Sequence, residues 1–268
     1  MLKQIQANGT SLTVEDAGNG PAIVFLHAGV ADRRMWDPQF DWLSTSFRVI
    51  RWDARGFGST PHVPGPFSYA ADVLAVMDAL KVSRATLIGC SFGGSTAIRV
   101  GLDNPDRVAR LVLIGTGLHG FIPAGPQPAI AKDIEAAEVA GDREQLLALE
   151  EKLWILGAAR DEGQVDPTFL ALCRDMLRAG LQPDNGATSQ DRLTSDVGRV
   201  SELRMPVLLV VGDQDAEAIH DVARLLFSEV PRIHTKVISD STHLPSLERP
   251  EQFNAILAGW LRRNVDGG

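Results

Sequence analysis

The stretch Leu87-Ile88-Gly89-Cys90-Ser91-Phe92-Gly93-Gly94 joins an apolar run to a segment with helical spacing and places a serine at the junction. The apolar run that begins at Ala85 is typical of a strand buried on both faces, and the residues after Gly93 repeat at helical intervals. The glycines on either side of Ser91 permit a turn that is too tight for larger side chains. We therefore predict a strand, a sharp turn with Ser91 at its tip, and a helix.

This turn would present the serine hydroxyl above the end of a strand. The backbone N–H of Phe92 would lie at the start of the helix, where the helix dipole favours negative charge. The pattern Gly-x-Ser-x-Gly also arises by chance in a glycine-rich chain. The interpretation of Ser91 as a nucleophile therefore depends on partners elsewhere in the sequence.

Length and composition indicate a protein with one sizeable core. The chain has 268 residues, of which 44% are hydrophobic, and its formal net charge of −8 argues against nucleic acid or an anionic membrane surface as a partner. The first residues lack the apolar core of a signal peptide, and no apolar run approaches membrane-spanning length. The two cysteines, Cys90 and Cys173, provide no disulfide framework. We expect a soluble, cytoplasmic protein that acts on a small molecule without a metal or cofactor, as a monomer or a homodimer.

Apolar runs alternate with segments of helical spacing along much of the chain. This alternation predicts an α/β fold with a mostly parallel central sheet and helices on both faces. An antiparallel hairpin is predicted at the N-terminal edge. Strands are predicted at residues 2–6, 12–15, 22–26, 48–52, 85–88, 108–114, 206–211 and 235–238, and helices at 36–44, 68–80, 93–103, 129–140, 142–156, 166–179 and 250–263.

The strand pattern disappears between Gly117 and about Arg204, where helical segments replace it, and strands return immediately afterwards. An insertion explains this better than a separate domain. We therefore predict a core formed by residues 1–116 and 205–268, with residues 117–204 as a helical cap over the sheet.

A serine hydroxyl needs a base to accept its proton and a carboxylate to hold that base in one tautomer. His243, one of six histidines, follows the last predicted strand. Asp213 and Asp215 follow the strand that ends at Val211, and either could serve as the acid or cap the turn instead. The order of nucleophile, acid and base is the one expected of an α/β-hydrolase.

Over essentially its whole length the sequence resembles the α/β-hydrolase superfamily. Five ordered motifs carry the resemblance: His27-Ala28-Gly29, the D-x-R-G-x-G-x-S loop at residues 53–59, the serine turn at 89–94, Gly212-x-x-Asp215, and residues 243–250. The resemblance implies a catalytic triad of Ser91, Asp215 and His243, and so favours Asp215 over Asp213. It also implies an oxyanion hole formed by the N–H groups of Gly29 and Phe92. His27 and the loop at 53–59 are expected to have an architectural role. The sequence departs from the superfamily pattern at Val30, where many relatives have proline.

Within the superfamily, the chain looks most like 3-oxoadipate enol-lactonase-like hydrolases, on the Phe67-Ser68 stretch, the serine turn and the segment around Trp154. The resemblance implies a serine hydrolase that cleaves a small carboxylic ester or lactone through an acyl-enzyme on Ser91. Carbon–carbon bond hydrolysis of a diketone and cofactor-free haloperoxidase or perhydrolase activity use the same triad and stay open. Relatives that carry aspartate at this position open epoxides or displace halide from their substrates, and a serine excludes both reactions.

Several residues of the predicted cap are candidates for the substrate pocket. An acyl group could contact Trp154, Phe121, Leu156, Phe169 and Met176, and His119 could also touch the substrate. The alternative is that these side chains only pack the helices of the cap together.

Two other classes of protein are compatible with parts of the sequence. Residues 115–120 form a G-x-G-x-x-G pattern after a strand, as in dinucleotide-binding oxidoreductases. Pro123, Pro126 and Pro128 oppose the helix that would bind the pyrophosphate. A non-catalytic binding protein on the same scaffold is the second possibility, because a fold does not determine an activity.

Overall fold

The computed structural model describes residues 2–125, 128–180 and 186–263. The strands of this part of the chain are β1 (Leu2–Ala7), β2 (Thr10–Ala17), β3 (Ala22–Leu26), β4 (Arg48–Trp52), β5 (Gly65–Phe67), β6 (Ala85–Cys90), β7 (Val108–Ile114), β8 (Ala187–Ser189), β9 (Val207–Gly212) and β10 (Ile233–Ile238). The α-helices are α1 (Asp37–Ser44), α2 (Tyr69–Ala79), α3 (Phe92–Asp103), α4 (Ala129–Ala140), α5 (Arg143–Glu150), α6 (Pro167–Gly180), α7 (Glu217–Glu229), α8 (Pro245–Glu248) and α9 (Pro250–Arg263). A π-helical segment, Glu151–Leu156, continues α5.

An eight-stranded sheet in the order β1-β2-β4-β3-β6-β7-β9-β10 forms the centre of the molecule. β2 pairs antiparallel with β1 and β4, and the remaining neighbours pair parallel. Every residue of β6 is buried, as the continuous apolar run predicts for a central parallel strand. The mostly parallel sheet confirms the predicted fold class. Because β6 is a central strand, Ser91 lies near the middle of the carboxyl edge of the sheet.

Apolar side chains form one cluster on each face of the sheet, because successive strand residues point to opposite faces. The α3-side cluster contains Leu87 of β6 with residues of α2, α3 and α7. The α9-side cluster contains Ile88 of β6 with residues of α1 and α9. Helices therefore cover both faces, which keeps the sheet away from water.

Residues 117–204 carry α4, α5, the π-helical segment, α6 and β8. This region contributes to both apolar clusters: Leu118 and Val200 belong to the α3-side cluster, and Leu156 and Phe169 to the α9-side cluster. A buried ion pair joins Asp196 to Arg99 of α3 at 2.9 Å. The predicted cap thus shares its buried side chains with the sheet, while its boundaries stay a prediction.

The structure differs from the expectation at β5 and β8, which pair in parallel over three residues. The sequence analysis assigns no strand to residues 53–84 or to residues 117–204. A three-residue ladder is too short to show any alternation of polar and apolar residues. The predicted set of strands therefore lacks two short strands that the structure contains.

None of the helices in the described ranges combines the length and apolar character needed to cross a membrane.

Candidate active site

Ser91 lies between the end of β6 and the start of α3, with a φ of +53°. This left-handed conformation is strained for a serine, and close packing of the surrounding backbone maintains it. A Cβ added to Gly89 would lie 2.3 Å from the carbonyl oxygen of Gly93, and one added to Gly93 would lie 2.3 Å from that of Leu26. Only glycine fits at either position, so the turn projects the serine side chain from the sheet edge.

A continuous chain of hydrogen bonds runs from Ser91 through His243 to Asp215. The hydroxyl Oγ of Ser91 is 2.7 Å from Nε2 of His243, and Nδ1 of His243 is 2.9 and 3.0 Å from the two carboxylate oxygens of Asp215. The side chains of His243 and Asp215 are only 2% and 1% exposed. An ionised carboxylate accepts hydrogen bonds but donates none, so the imidazole proton lies on Nδ1 and Nε2 is free to accept the serine proton.

The turn after β9 brings Asp215, and not Asp213, to the imidazole. The N–H of Ala216 donates to Oδ1 of Asp215 at 2.8 Å, which orients the carboxylate towards the ring. Asp213 instead accepts a hydrogen bond from the N–H of Ser241 at 3.3 Å and is exposed. One aspartate therefore faces the histidine, and the other holds the turn beside it.

A buried ion pair supports the loop that carries His243. The guanidinium of Arg160 donates to the carboxylate of Glu248 at 2.5 Å and also to the carbonyl of Leu156 at 2.8 Å. The same carboxylate accepts the N–H of Thr242 at 3.0 Å. Arg160 thereby links residues 117–204 to the residue directly before the histidine, a connection that the sequence analysis missed.

Gly29 and Phe92 lie side by side next to the serine turn. A Cβ added to Gly29 would be 3.7 Å from Cβ of Phe92, and the N–H of Phe92 is in the first turn of α3. An oxyanion bonded to Ser91 would need backbone N–H donors near this turn, and the sequence predicts that these two residues supply them. The structure thus places the two predicted donors next to each other.

His27 fixes the loop that contains Gly29. Its Nδ1 is 2.8 Å from the carbonyl oxygen of Ala28, and the N–H of Ala54 donates to its Nε2 at 3.0 Å. These partners require a neutral ring with the proton on Nδ1. Burial lowers the pKa of His27, which keeps the ring in this form. The contacts fit the architectural role expected from the sequence.

Gly115, at the end of β7, packs directly beneath the imidazole and carboxylate. Its φ is +46°, and an added Cβ would lie 3.0 Å from Oδ2 of Asp215 and 3.2 Å from Nδ1 of His243. Between residues 115 and 125 the chain forms no helix. The G-x-G-x-x-G pattern therefore lacks the helix that a dinucleotide site requires, and Pro126 lies outside the described residues.

Trp154 of the π-helical segment covers His243. The two ring centroids are 4.3 Å apart, with 38° between the ring planes. Glu150, half-buried at the end of α5, lies four residues before Trp154, so the two side chains share a face of the helix. Burial raises the pKa of Glu150, and the nearby indole of Trp154 opposes this effect.

The other predicted pocket residues lie in different surroundings. Leu156, Phe169 and Met176 are buried in the α9-side cluster, and Phe121 packs against the α3-side cluster. The backbone carbonyl of His119 accepts the N–H of Asp196 at 2.9 Å. Trp154 is the member of this set for which the structure records a contact with the His243 ring, and a role of the others in substrate binding stays a prediction.

The sequence analysis gave no role to Glu150 or Arg160, and it placed Glu248 only within the motif at 243–250 and Gly115 only within the G-x-G-x-x-G pattern. The spacing of Glu150 and Trp154 was a usable signal, because residues four apart on a helix share a face. The part of the chain that the structure describes contains no group of three or more His, Cys, Asp or Glu side chains placed to hold a metal ion.

A mostly parallel sheet with a serine on the turn after a central strand, and a histidine–aspartate pair behind it, is the arrangement of the α/β-hydrolase class. A model of the Alpha/beta hydrolase family matches residues 23–256. The chain belongs to this family of hydrolases.

Individual relatives are similar along nearly their full length. The pimeloyl-acyl-carrier protein methyl ester esterase of Nitrosomonas europaea is 30% identical, over 91% of this chain and 96% of that protein. The 3-oxoadipate enol-lactonase 1 of Acinetobacter baylyi is 24% identical, over 98% and 96%. The crystal structure of the enol-lactonase from Burkholderia xenovorans LB400 has a TM-score of 0.81 and 26% identity, over 97% of this chain and all of that one.

Proposed function

We propose that this protein is a serine hydrolase that cleaves a small, at least partly apolar carboxylic ester or lactone through an acyl-enzyme on Ser91. The observation that carries the proposal is the unbroken hydrogen-bond chain from Ser91 through His243 to Asp215. The similarity to an enol-lactonase and to a methyl ester esterase supports this choice of bond.

In the first half-reaction, Oγ of Ser91 attacks the acyl carbon while Nε2 of His243 accepts the hydroxyl proton. The carbonyl oxygen becomes an oxyanion that accepts hydrogen bonds from the N–H groups of Phe92 and Gly29. One such donor typically contributes about 10²- to 10³-fold to the rate. The imidazolium then protonates the leaving oxygen, the carbon–oxygen bond breaks, and the acyl group remains on Ser91.

In the second half-reaction, His243 removes a proton from water as the water oxygen attacks the acyl carbon. Collapse of the new oxyanion breaks the bond to Ser91, and the proton on His243 returns to the serine oxygen. An ester releases an acid and an alcohol, whereas a lactone releases one molecule that carries both groups. Asp215 holds the imidazole and stabilises its charged form in each half.

We propose that residues 117–204, which the sequence predicts to be a cap, form the roof of this site. The contact between Trp154 and His243 supports it, because that indole covers the imidazole from the cap side. A roof of this kind limits the entry of water and strengthens the electrostatic interactions beneath it. Leu156, Phe169 and Met176 lie along the same apolar cluster as candidate neighbours of an acyl chain.

A substrate screen tests the proposed reaction. The purified protein is assayed with p-nitrophenyl esters of increasing acyl length, with enol-lactones and with vinylogous diketones, and Ser91→Ala is the blank. We expect turnover of esters or lactones that falls more than about 10³-fold in Ser91→Ala. Cleavage of diketones alone, or only halide oxidation with peroxide, would instead assign one of the other activities that this triad allows.

Covalent labelling separates an enzyme from a non-catalytic binding protein. A fluorophosphonate should label the wild-type protein at Ser91, and the label should be lost in Ser91→Ala and strongly reduced in His243→Ala. Absence of labelling together with absence of turnover would favour a binding protein. We expect NAD to leave the thermal midpoint unchanged, since a bound dinucleotide would raise it.

A further inference from the structure

Glu150 is linked to the proposed catalytic histidine by its helical neighbour Trp154. It ends α5 where the π-helical segment begins, and it shares a helix face with Trp154 four residues later. The indole ring in turn lies 4.3 Å from the imidazole of His243. π-Helical turns within helices are frequent at functional sites because they shift the direction of the side chains that follow. This half-buried acid has no role in the proposed mechanism.

Glu138 of α4 is an acidic neighbour of Glu150. Burial raises the pKa of its carboxyl; the indole of Trp154 opposes that shift, Glu138 of α4 adds to it, and His243 opposes it. The nearby cations of the π-helical segment and the following turn have other partners. Lys152 donates to the carbonyl of Arg160 at 2.9 Å, and Arg160 is paired with Glu248.

We propose that Glu150 sets the charge of the substrate, so that the site takes neutral acyl groups and disfavours acyl groups that carry a second, free carboxylate. This inference rests on the proposed ester or lactone hydrolysis. An acyl chain seated against Trp154 brings its far end towards Glu150, and two carboxylates at such short range in a partly buried site repel each other.

The natural substrate of this protein would then be a neutral ester or lactone, or one with a hydrogen-bond donor that faces Glu150.

A matched pair of esters tests the inference. p-Nitrophenyl valerate and mono-p-nitrophenyl glutarate have acyl chains of equal length, and they differ in a terminal methyl group against a carboxylate. The readout is the ratio of kcat/KM for valerate over glutarate. We expect the wild-type ratio to fall at least about tenfold in Glu150→Gln, and further in Glu150→Lys, because the repulsion is removed or reversed. Glu144→Gln, which changes an exposed acid on the same helix, should keep the wild-type ratio.

The outcomes separate the two proposals. If the wild-type protein hydrolyses neither ester, and no other ester or lactone, the proposed function fails. If it hydrolyses both but Glu150→Gln keeps the wild-type ratio, the assignment of Glu150 is wrong and the proposed function stands. A purely structural role would lower kcat/KM for both esters together. If the variants do not fold, the valerate-to-glutarate ratio of kcat/KM is measured for the wild-type protein at increasing salt. Salt screens the repulsion, so the ratio should fall. An unchanged ratio would overturn the assignment of Glu150.

Discussion

At the scale of single residues, the site depends on positions where a side chain cannot be added. Gly115 is the clearest case, because its Cβ would meet the carboxylate of Asp215 and the ring of His243 at once. Gly141 has a similar positive φ of +67°, but nothing lies within 4 Å of an added Cβ. Both glycines have a positive φ, and they differ in what an added Cβ would meet.

We predict that Gly115→Ala lowers kcat/KM about 10- to 100-fold, because the methyl group shifts the histidine and aspartate by a few tenths of an ångström. Gly141→Ala should keep wild-type kcat/KM. Both variants should lose about 1 to 2 kcal/mol of unfolding free energy, since alanine is strained in this conformation. Steady-state kinetics and urea unfolding measure the two effects. Equal kcat/KM in the two variants would show that Gly115 does not constrain the proposed triad.

The sequence predicts some residues of the candidate site and misses others. Ser91, Asp215 and His243 stand out because each follows a strand and because they occur in the order of the superfamily. Gly115 is hidden in a G-x-G-x-x-G pattern that is usually interpreted as a phosphate-binding loop. In the sequence, Glu150 resembles any polar residue on an exposed helix face. Only the structure shows that its helical neighbour Trp154 lies against His243.

At the scale of elements, the His243 loop is held in place by contacts from residues 117–204. The side chains of Arg160 and Glu248 are 9% and 2% exposed, and their ion pair also satisfies the N–H of Thr242. Because the π-helical segment ends in the carbonyls that Arg160 caps, the loop and the segment that carries Trp154 are fixed by one guanidinium.

Arg160→Met should lower the free energy of unfolding by about 3 to 5 kcal/mol, because Glu248 would stay buried without its cation. The double variant Arg160→Met/Glu248→Gln should regain part of that loss, since the uncompensated charge is then removed. Urea unfolding monitored by circular dichroism gives the values, and kcat should fall in the single variant as the His243 loop loosens.

A matched surface variant controls for the loss of an arginine. Arg224→Met breaks an exposed pair with Glu217 and should leave the free energy of unfolding nearly unchanged. If Arg160→Met is as mild as Arg224→Met, the buried pair does not hold the loop. A double variant less stable than the single one would contradict the argument that Glu248 is left uncompensated.

The elements themselves were predictable where their pattern is long. The apolar runs at 85–88 and 206–211 identify β6 and β9, and the pattern of helix α9 gives both of its ends. The switch from α5 to a π-helical segment was not predictable, because Leu146, Leu149 and Leu153 keep an ordinary helical spacing through it. Tertiary partners stabilise the end of that segment, because Arg160 and Thr242 both donate hydrogen bonds to the carbonyl oxygen of Ile155.

At the scale of the whole molecule, residues 117–204, the proposed cap, share their buried surface with the sheet. Leu156, Phe169 and Met176 are members of the same apolar cluster as Trp260 of α9. On the other face, Arg99 of α3 pairs with the buried Asp196. A cap connected to the sheet on both faces cannot lose its packing without exposing the core of the sheet to water.

We therefore predict that residues 117–204 unfold together with the rest of the chain in one cooperative transition. The sequence supplies a probe, because Trp154 is the single tryptophan between residues 117 and 204, whereas Trp36 and Trp260 are fully buried near the sheet. In protein labelled with 5-fluorotryptophan, the fluorine resonances of all three should lose their native intensity at the same urea concentration. Single tryptophan-to-phenylalanine variants assign the resonances. Loss of the Trp154 signal at lower urea, with Trp36 and Trp260 still native, would mean that the cap opens as a separate unit and that the shared clusters do not couple it to the core.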